Sequence, residues 1–215
     1  MTTPLPRPDL SGMGELVEVM DLLRAPGGCP WDARQTHRSL APYAVEEAYE
    51  LAEAVLTSDR GHLREELGDL LLQVVFHARV AQEDESDPFD VDDVARGVVA
   101  KLRRRHPHVF ADGDARTPEQ VEARWDELKA EEKPERRDVL DGIPVGMPAF
   151  ERATKVVARL DRAGQLDRVR VLARGEDIGS RMLQVILEAR ESGVDPSAAL
   201  RETLRGLDTA AQPTP

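Results

Sequence analysis

Two acidic clusters stand about one helix apart in this chain: Glu46-Glu47-Ala48-Tyr49-Glu50 and Glu66-Leu67-Gly68-Asp69. Glu47 and Glu50 are three residues apart, as are Glu66 and Asp69, so on helices each pair projects from one face. Four carboxylates meeting between two helices repel and raise one another's pKa values unless a cation sits among them. A divalent metal site is the economical reading. Oxygen ligands without histidine suit Mg²⁺ or Mn²⁺ better than zinc or iron. A di-iron bundle would carry Glu-x-x-His on its helices, whereas His77 follows Asp69 by eight residues. The competing reading is a solvated helix face made of Glu46, Glu47, Glu50 and Glu53, as acidic runs commonly are. Asp69 weighs against it, because it lies between Leu67 and Leu70-Leu71 beside an apolar stripe, where an unpaired carboxylate is costly.

Lys101-Leu102-Arg103-Arg104-Arg105 is the densest basic run. On a helix, Lys101 and Arg105 share a face and offer two arms to phosphate oxygens; equally, the run complements the macrodipole at a helix C-terminus. Trp125 and Lys129, also four apart, set an indole beside an ammonium, with Trp125 either a core residue or a surface for a nucleobase. Trp31-Asp32, after Gly28-Cys29-Pro30, reads as a turn anchored by a buried indole. Nothing near Cys29 would activate a thiol nucleophile, and His37, His106 and His108 lack zinc-site spacing.

The elements that must position these residues are helices. Leu16, Val19, Met20 and Leu23 make one stripe from Ser11 to about Ala25, broken at Pro26-Gly27-Gly28-Cys29-Pro30. A second helix is expected over Leu40 to Leu56, with Pro42 in its first turn. A third runs from about Arg60 to Gln82 behind an Asp59 cap, with Leu63, Leu67, Leu70, Leu71, Val74, Val75 and Ala78 on one broad face. Asp90 caps a fourth that ends before Pro107, and Thr117-Pro118-Glu119-Gln120 opens a fifth. Further helices are expected near 149–163, 176–192 and 196–207. Sustained apolar/polar alternation is absent and aromatics are only 4% of residues, so the expected class is all-α. Shifted by 111 residues, Glu65, Gly68, Leu72, Gln73, Val74, Ala78 and Arg79 recur as Glu176, Gly179, Leu183, Gln184, Val185, Ala189 and Arg190. Glu66 becomes Asp177 and Asp69 becomes Ser180 in this copy, which keeps packing positions and loses ligands. The expected organisation is a disordered leader (1–10), a catalytic domain (11–133), a linker (134–148), a degenerate repeat (149–208) and a disordered tail (209–215).

The formal charge of −12 excludes duplex DNA and anionic membranes as natural partners, since both would repel the chain. The longest apolar run, from Leu70 to Phe76, is far too short to span a bilayer. A single cysteine and a polar, proline-rich start without a signal-peptide pattern point to a reducing, cytoplasmic setting.

The ordered series resembles the MazG nucleoside triphosphate pyrophosphohydrolases. It comprises Gly28-Cys29-Pro30-Trp31-Asp32, Gln35-Thr36-His37, Pro42-Tyr43 leading into Glu46-Glu47-x-x-Glu50, Glu65-Glu66-Leu67-Gly68-Asp69-Leu70-Leu71, and Arg104-Arg105-His106-Pro107-His108-Val109-Phe110, and it reaches Trp125 and Lys129. The resemblance covers roughly residues 12–133. It implies an all-α MazG-like bundle acting as a homodimer. The implied activity is Mg²⁺-dependent cleavage (Mn²⁺ as a substitute) of NTPs or dNTPs to monophosphate and pyrophosphate, in a nucleotide-pool or house-cleaning role. By resemblance the metal ligands are Glu47, Glu50, Glu66 and Asp69, with Glu46 orienting or deprotonating water and Lys101, Arg105, Trp125 and Lys129 contacting substrate. Active family copies often carry lysine one turn before each acidic cluster, where this chain has Tyr43 and His62. That departure keeps a rival reading open: a nucleotide-binding or regulatory module with weakened catalysis.

Overall fold

The computed structural model describes residues 11–57, 59–131 and 138–210, with side chains except at 122, 123, 126, 127, 129–131 and 208–210. The leader (1–10), residue 58, residues 132–137 (the end of the expected catalytic domain and the start of the expected linker) and the end of the tail (211–215) lie outside the described residues. Among the described residues every regular element is helical, and the chain divides into two compact units at Arg116/Thr117.

In the first unit, side-chain caps set the helix starts. Ser11 caps α1 (Gly12–Arg24) by accepting from the Gly14 N–H. Thr36 and Ser39 cap each other reciprocally at the start of α2 (His37–Thr57): the Ser39 N–H donates to Thr36 Oγ1 and the Thr36 N–H to Ser39 Oγ. This cap starts α2 one turn earlier than the apolar pattern suggests. Pro42 therefore falls in the second turn, not the first, and Arg38 loses one helical hydrogen bond. Asp59 caps α3 (Arg60–Ala81) and an Asp90–Asp93 capping box opens α4 (Val91–Arg105), which is followed by the single turn α5 (Pro107–Phe110).

α3 is the central element, packing along α2 and against α1 and α4. Met20, Leu40, Val75 and Phe76 form the buried core, flanked by Leu16, Val17, Leu23, Leu72, Val80 and Val91. Each fully buried side chain of this kind contributes about 1.5–3 kcal/mol. The broad apolar face of α3 is split in two: Val75 and Ala78 turn inward, while Leu67, Leu71 and Val74 remain exposed.

The loop after α1 is fastened by Arg24. Its guanidinium donates to both carboxylate oxygens of Glu83 (2.9 and 2.6 Å) and to the carbonyl oxygens of Asp32 (2.5 Å) and Gln35 (3.2 Å). It also lies 5.6 Å from the centre of the Phe76 ring. A side chain on Gly28 would run into the carbonyl oxygens of Leu22 and Leu23, so the chain needs glycine there. Trp31 is not the buried anchor that the sequence suggests; it is 46% exposed and sets its indole edge-on to Tyr43 and Phe76, with centroids 6.1 and 6.5 Å apart. The inner side of the loop is held by the Arg24 guanidinium instead.

The second unit contains α6 (Pro118–Glu131), α7 (Ala149–Arg162), α8 (Asp167–Leu172), α9 (Ile178–Glu191) and α10 (Pro196–Ala210). Thr117 and Gln120 cap α6 reciprocally. Val157, Leu160, Val169, Ala173, Ile186 and Leu187 form its core, and Val139 and Leu140, from the helix-free stretch 138–148, pack against it. α8 has no counterpart in the sequence reading: its six residues follow Gly164 (φ 65°) and are too few to show a period.

The 111-residue offset recurs in the burial pattern. Leu72, Val75 and Phe76 of α3 face a core, as do Leu183, Ile186 and Leu187 of α9, while Leu67, Leu71 and Val74 are exposed like Ile178, Met182 and Val185. At the ligand-type positions of the copy, Asp177 caps α9 by accepting from the Ser180 N–H (3.0 Å) and Oγ–H (2.6 Å). No described helix is long and apolar enough to cross a membrane.

Candidate metal centre

Hairpin geometry builds the site. α2 ends at Thr57 and α3 begins at Arg60, so the two helices run antiparallel about a short connection. Glu47 lies ten residues before the end of α2 and Asp69 nine after the start of α3. At 1.5 Å per residue both stand about 14–15 Å from the turn, at one level. Glu66 lies one helical turn before Asp69, on the same face.

Glu47, Glu66 and Asp69 each place a carboxylate oxygen within 4.8 Å of the others. Glu66 is buried (7% exposed), and Glu47 and Asp69 are half-buried. The Glu47 carboxyl is held above its usual pKa, first by burial, then by a hydrogen bond shared with Glu50, then by the charges of Asp69, Glu50 and Glu66. Glu50 thus joins the cluster through Glu47 although it is itself exposed. Glu46 is exposed and stands outside the three-residue cluster.

His62, one turn before Glu66, places Nε2 3.1 Å from Glu66 Oε1. The other oxygen, Oε2, is buried without a hydrogen-bond partner. Burying an unsatisfied carboxylate oxygen among like charges is expensive. A hard divalent cation would satisfy it, and the all-oxygen donor set fits that class of ion.

The MazG nucleotide pyrophosphohydrolase domain matches residues 35–110, which include both acidic helices and the basic run. An uncharacterized 26.1 kDa protein of Streptomyces cacaoi is 52% identical over 187 residues, covering 87% of this chain and 76% of that protein. The nucleoside triphosphate pyrophosphohydrolase of Escherichia coli K12 is 40% identical over 201 residues, covering 92% of this chain and 75% of that one. The chain belongs to the MazG family. The nucleoside triphosphate pyrophosphohydrolase/pyrophosphatase MazG of Thermotoga maritima is 36% identical over 211 residues, covering 89% and 80% respectively.

In this MazG chain Lys101 is exposed and Arg105 half-buried on α4, which packs against α3. Trp125 is half-buried on α6, a helix of the second compact unit. Lys129 lies on the same helix, but its side chain is outside the described residues. Sequence reasoning missed the His62–Glu66 contact, although the i,i+4 spacing was there to be read. It also missed Arg24, whose partner Glu83 lies 59 residues away with no periodicity to reveal it.

Proposed function

We propose that this protein hydrolyses nucleoside triphosphates, NTP or dNTP, to the monophosphate and pyrophosphate with Mg²⁺ as its ion and Mn²⁺ as a substitute. The observation that carries the reading is the buried, partner-lacking Oε2 of Glu66 in a cluster with Glu47 and Asp69. Relatives named nucleoside triphosphate pyrophosphohydrolase support it. Glu47, Glu50, Glu66 and Asp69 would hold the ion. A bound divalent cation supplies charge neutralisation and a more acidic water. Water adds at the α-phosphorus and pyrophosphate departs. Glu46, exposed beside Glu47, takes the proton of that water or orients it. Lys101 and Arg105 are the proposed arms for phosphate oxygens, and Trp125 and Lys129 the remaining substrate contacts. A cytoplasmic nucleotide-pool role follows, with neither nucleic acid nor membrane as partner given the charge of −12.

The exposed apolar stripe of Leu67, Leu71 and Val74, with Val98, Val99 and Leu102 on α4, supports a homodimer. Sedimentation equilibrium should give about twice the 23.8 kDa chain mass, and a single-chain mass would end that proposal.

The deciding experiment offers the full chain each of the eight common ribo- and deoxyribonucleoside triphosphates with Mg²⁺ and separates products by ion chromatography. Monophosphate and pyrophosphate in equal amounts are expected. Diphosphate with orthophosphate would mean an ordinary phosphatase. Tyr43 and His62, standing where active copies often carry lysine, favour the second reading, a nucleotide-binding module with weakened catalysis. Calorimetric binding of nucleotides without turnover would select it.

A further inference from the structure

We infer that His62 is a positioning residue for Glu66: its imidazole, with Nε2 3.1 Å from Oε1, engages that oxygen and leaves the buried Oε2 as the one that would face the cation. The inference rests on the metal reading given above and adds a residue to it. His62 is the third residue of α3, and its backbone N–H is fixed by the Asp59 cap (3.2 Å). Its side chain is 38% exposed and reaches one turn down the helix to the Glu66 side chain, which is 10% exposed. A carboxylate with one oxygen tethered loses rotation about its last bond, so the untethered oxygen has a fixed direction. Glu66 Oε2 is that oxygen, buried and lacking a hydrogen-bond partner.

The test is direct Mn²⁺ binding to the full chain without nucleotide, read from the electron paramagnetic resonance signal of free Mn²⁺. His62→Leu is expected to raise the Mn²⁺ Kd about tenfold, the scale for losing a partner behind a metal ligand. His62→Gln keeps an amide N–H near the Nε2 position and should restore most of the affinity that His62→Leu loses. Melting temperatures in EDTA are recorded for all variants. A His62 with only a structural role would lower those temperatures and leave the Kd unchanged, and that result overturns the inference. So does a His62→Gln protein that binds no better than His62→Leu. A wild type that fails to bind Mn²⁺, or binds it as well after Asp69→Asn, sinks the metal reading itself and this inference with it. The first pair of failures leaves wild-type binding intact, so the two cases are distinguishable.

Discussion

Asp69→Asn is expected to lower triphosphate hydrolysis by about 10³-fold or more while raising the melting temperature of the metal-free protein. The loss should exceed that of one transition-state hydrogen-bond donor, about 10²–10³-fold, because the ion's binding itself is affected. The gain has a separate physical source. Two unit charges about 5 Å apart repel by about 3 kcal/mol at an effective dielectric constant of about 20. Asp69, Glu66 and Glu47 present oxygens within 4.8 Å of one another. Partial solvation of the half-buried Glu47 and Asp69 carboxylates reduces the recoverable part to on the order of 1 kcal/mol.

The sign follows from Glu47, whose pKa is raised in the folded chain by burial, by Glu50 and by the neighbouring charges. A carboxyl with a raised folded pKa binds more protons in the native state than in the unfolded one. Stability of the metal-free protein therefore falls as pH rises from the ordinary carboxylate range through the raised value. Removing the Asp69 charge recovers part of that stability at pH 7 and less at pH 4, where Glu47, its pKa raised above the ordinary value, carries its proton. Melting curves in EDTA at both pH values, with kcat/KM from the product assay, check the prediction. If these acids were a solvated helix face, Asp69→Asn would leave both quantities nearly unchanged. A variant that is inactive and also less stable at pH 7 would argue for a structural Asp69.

The site was legible because its signal is local. Three-residue spacing and flanking leucines place Glu66 and Asp69 on one face of α3, and a short hairpin then brings Glu47 level with them. Helix starts with a side-chain cap, such as Asp59 and Asp90, were equally plain. The start of α2 was not, because Thr36 and Ser39 cap it ahead of the first apolar residue. The division of the α3 apolar face between core and surface depends on which neighbours reach it, information absent from its period. Trp31 shows the same limit in reverse: an indole in a Gly-Pro loop suggests an anchor, but a guanidinium from α1 already holds that loop. Long-range polar contacts decided what the pattern left open.

Arg24→Met should therefore be the most damaging single change outside the acidic cluster, costing about 2–3 kcal/mol. Methionine restores much of the apolar stem and its contact with Phe76, but it cannot donate. Breaking a buried ion pair by removing one partner costs about 3–5 kcal/mol when the survivor stays buried. Glu83 is 44% exposed, so water re-solvates part of its charge and the lower figure applies. Arg79, which bridges Glu83 (3.0 Å) and Asp21 (2.7 Å), also retains a hold on it. The carbonyl oxygens of Asp32 and Gln35 lose their shared donor as well, which loosens the loop bearing Trp31. The pH dependence has a defined direction. The Glu83 pKa is lowered, chiefly by its hydrogen bond to Arg24 against a smaller opposing effect of burial, with Arg24 and Arg79 charges adding to the lowering. Its stabilisation is therefore present above the ordinary glutamate value and lost as pH falls through the lowered one. Urea denaturation of wild type and Arg24→Met should differ most near pH 7 and converge in acid, with Glu83→Gln behaving as a partial copy of the arginine variant. A gap that stays constant down to pH 3 would show that the arginine works through its carbonyl contacts and its packing on Phe76 alone.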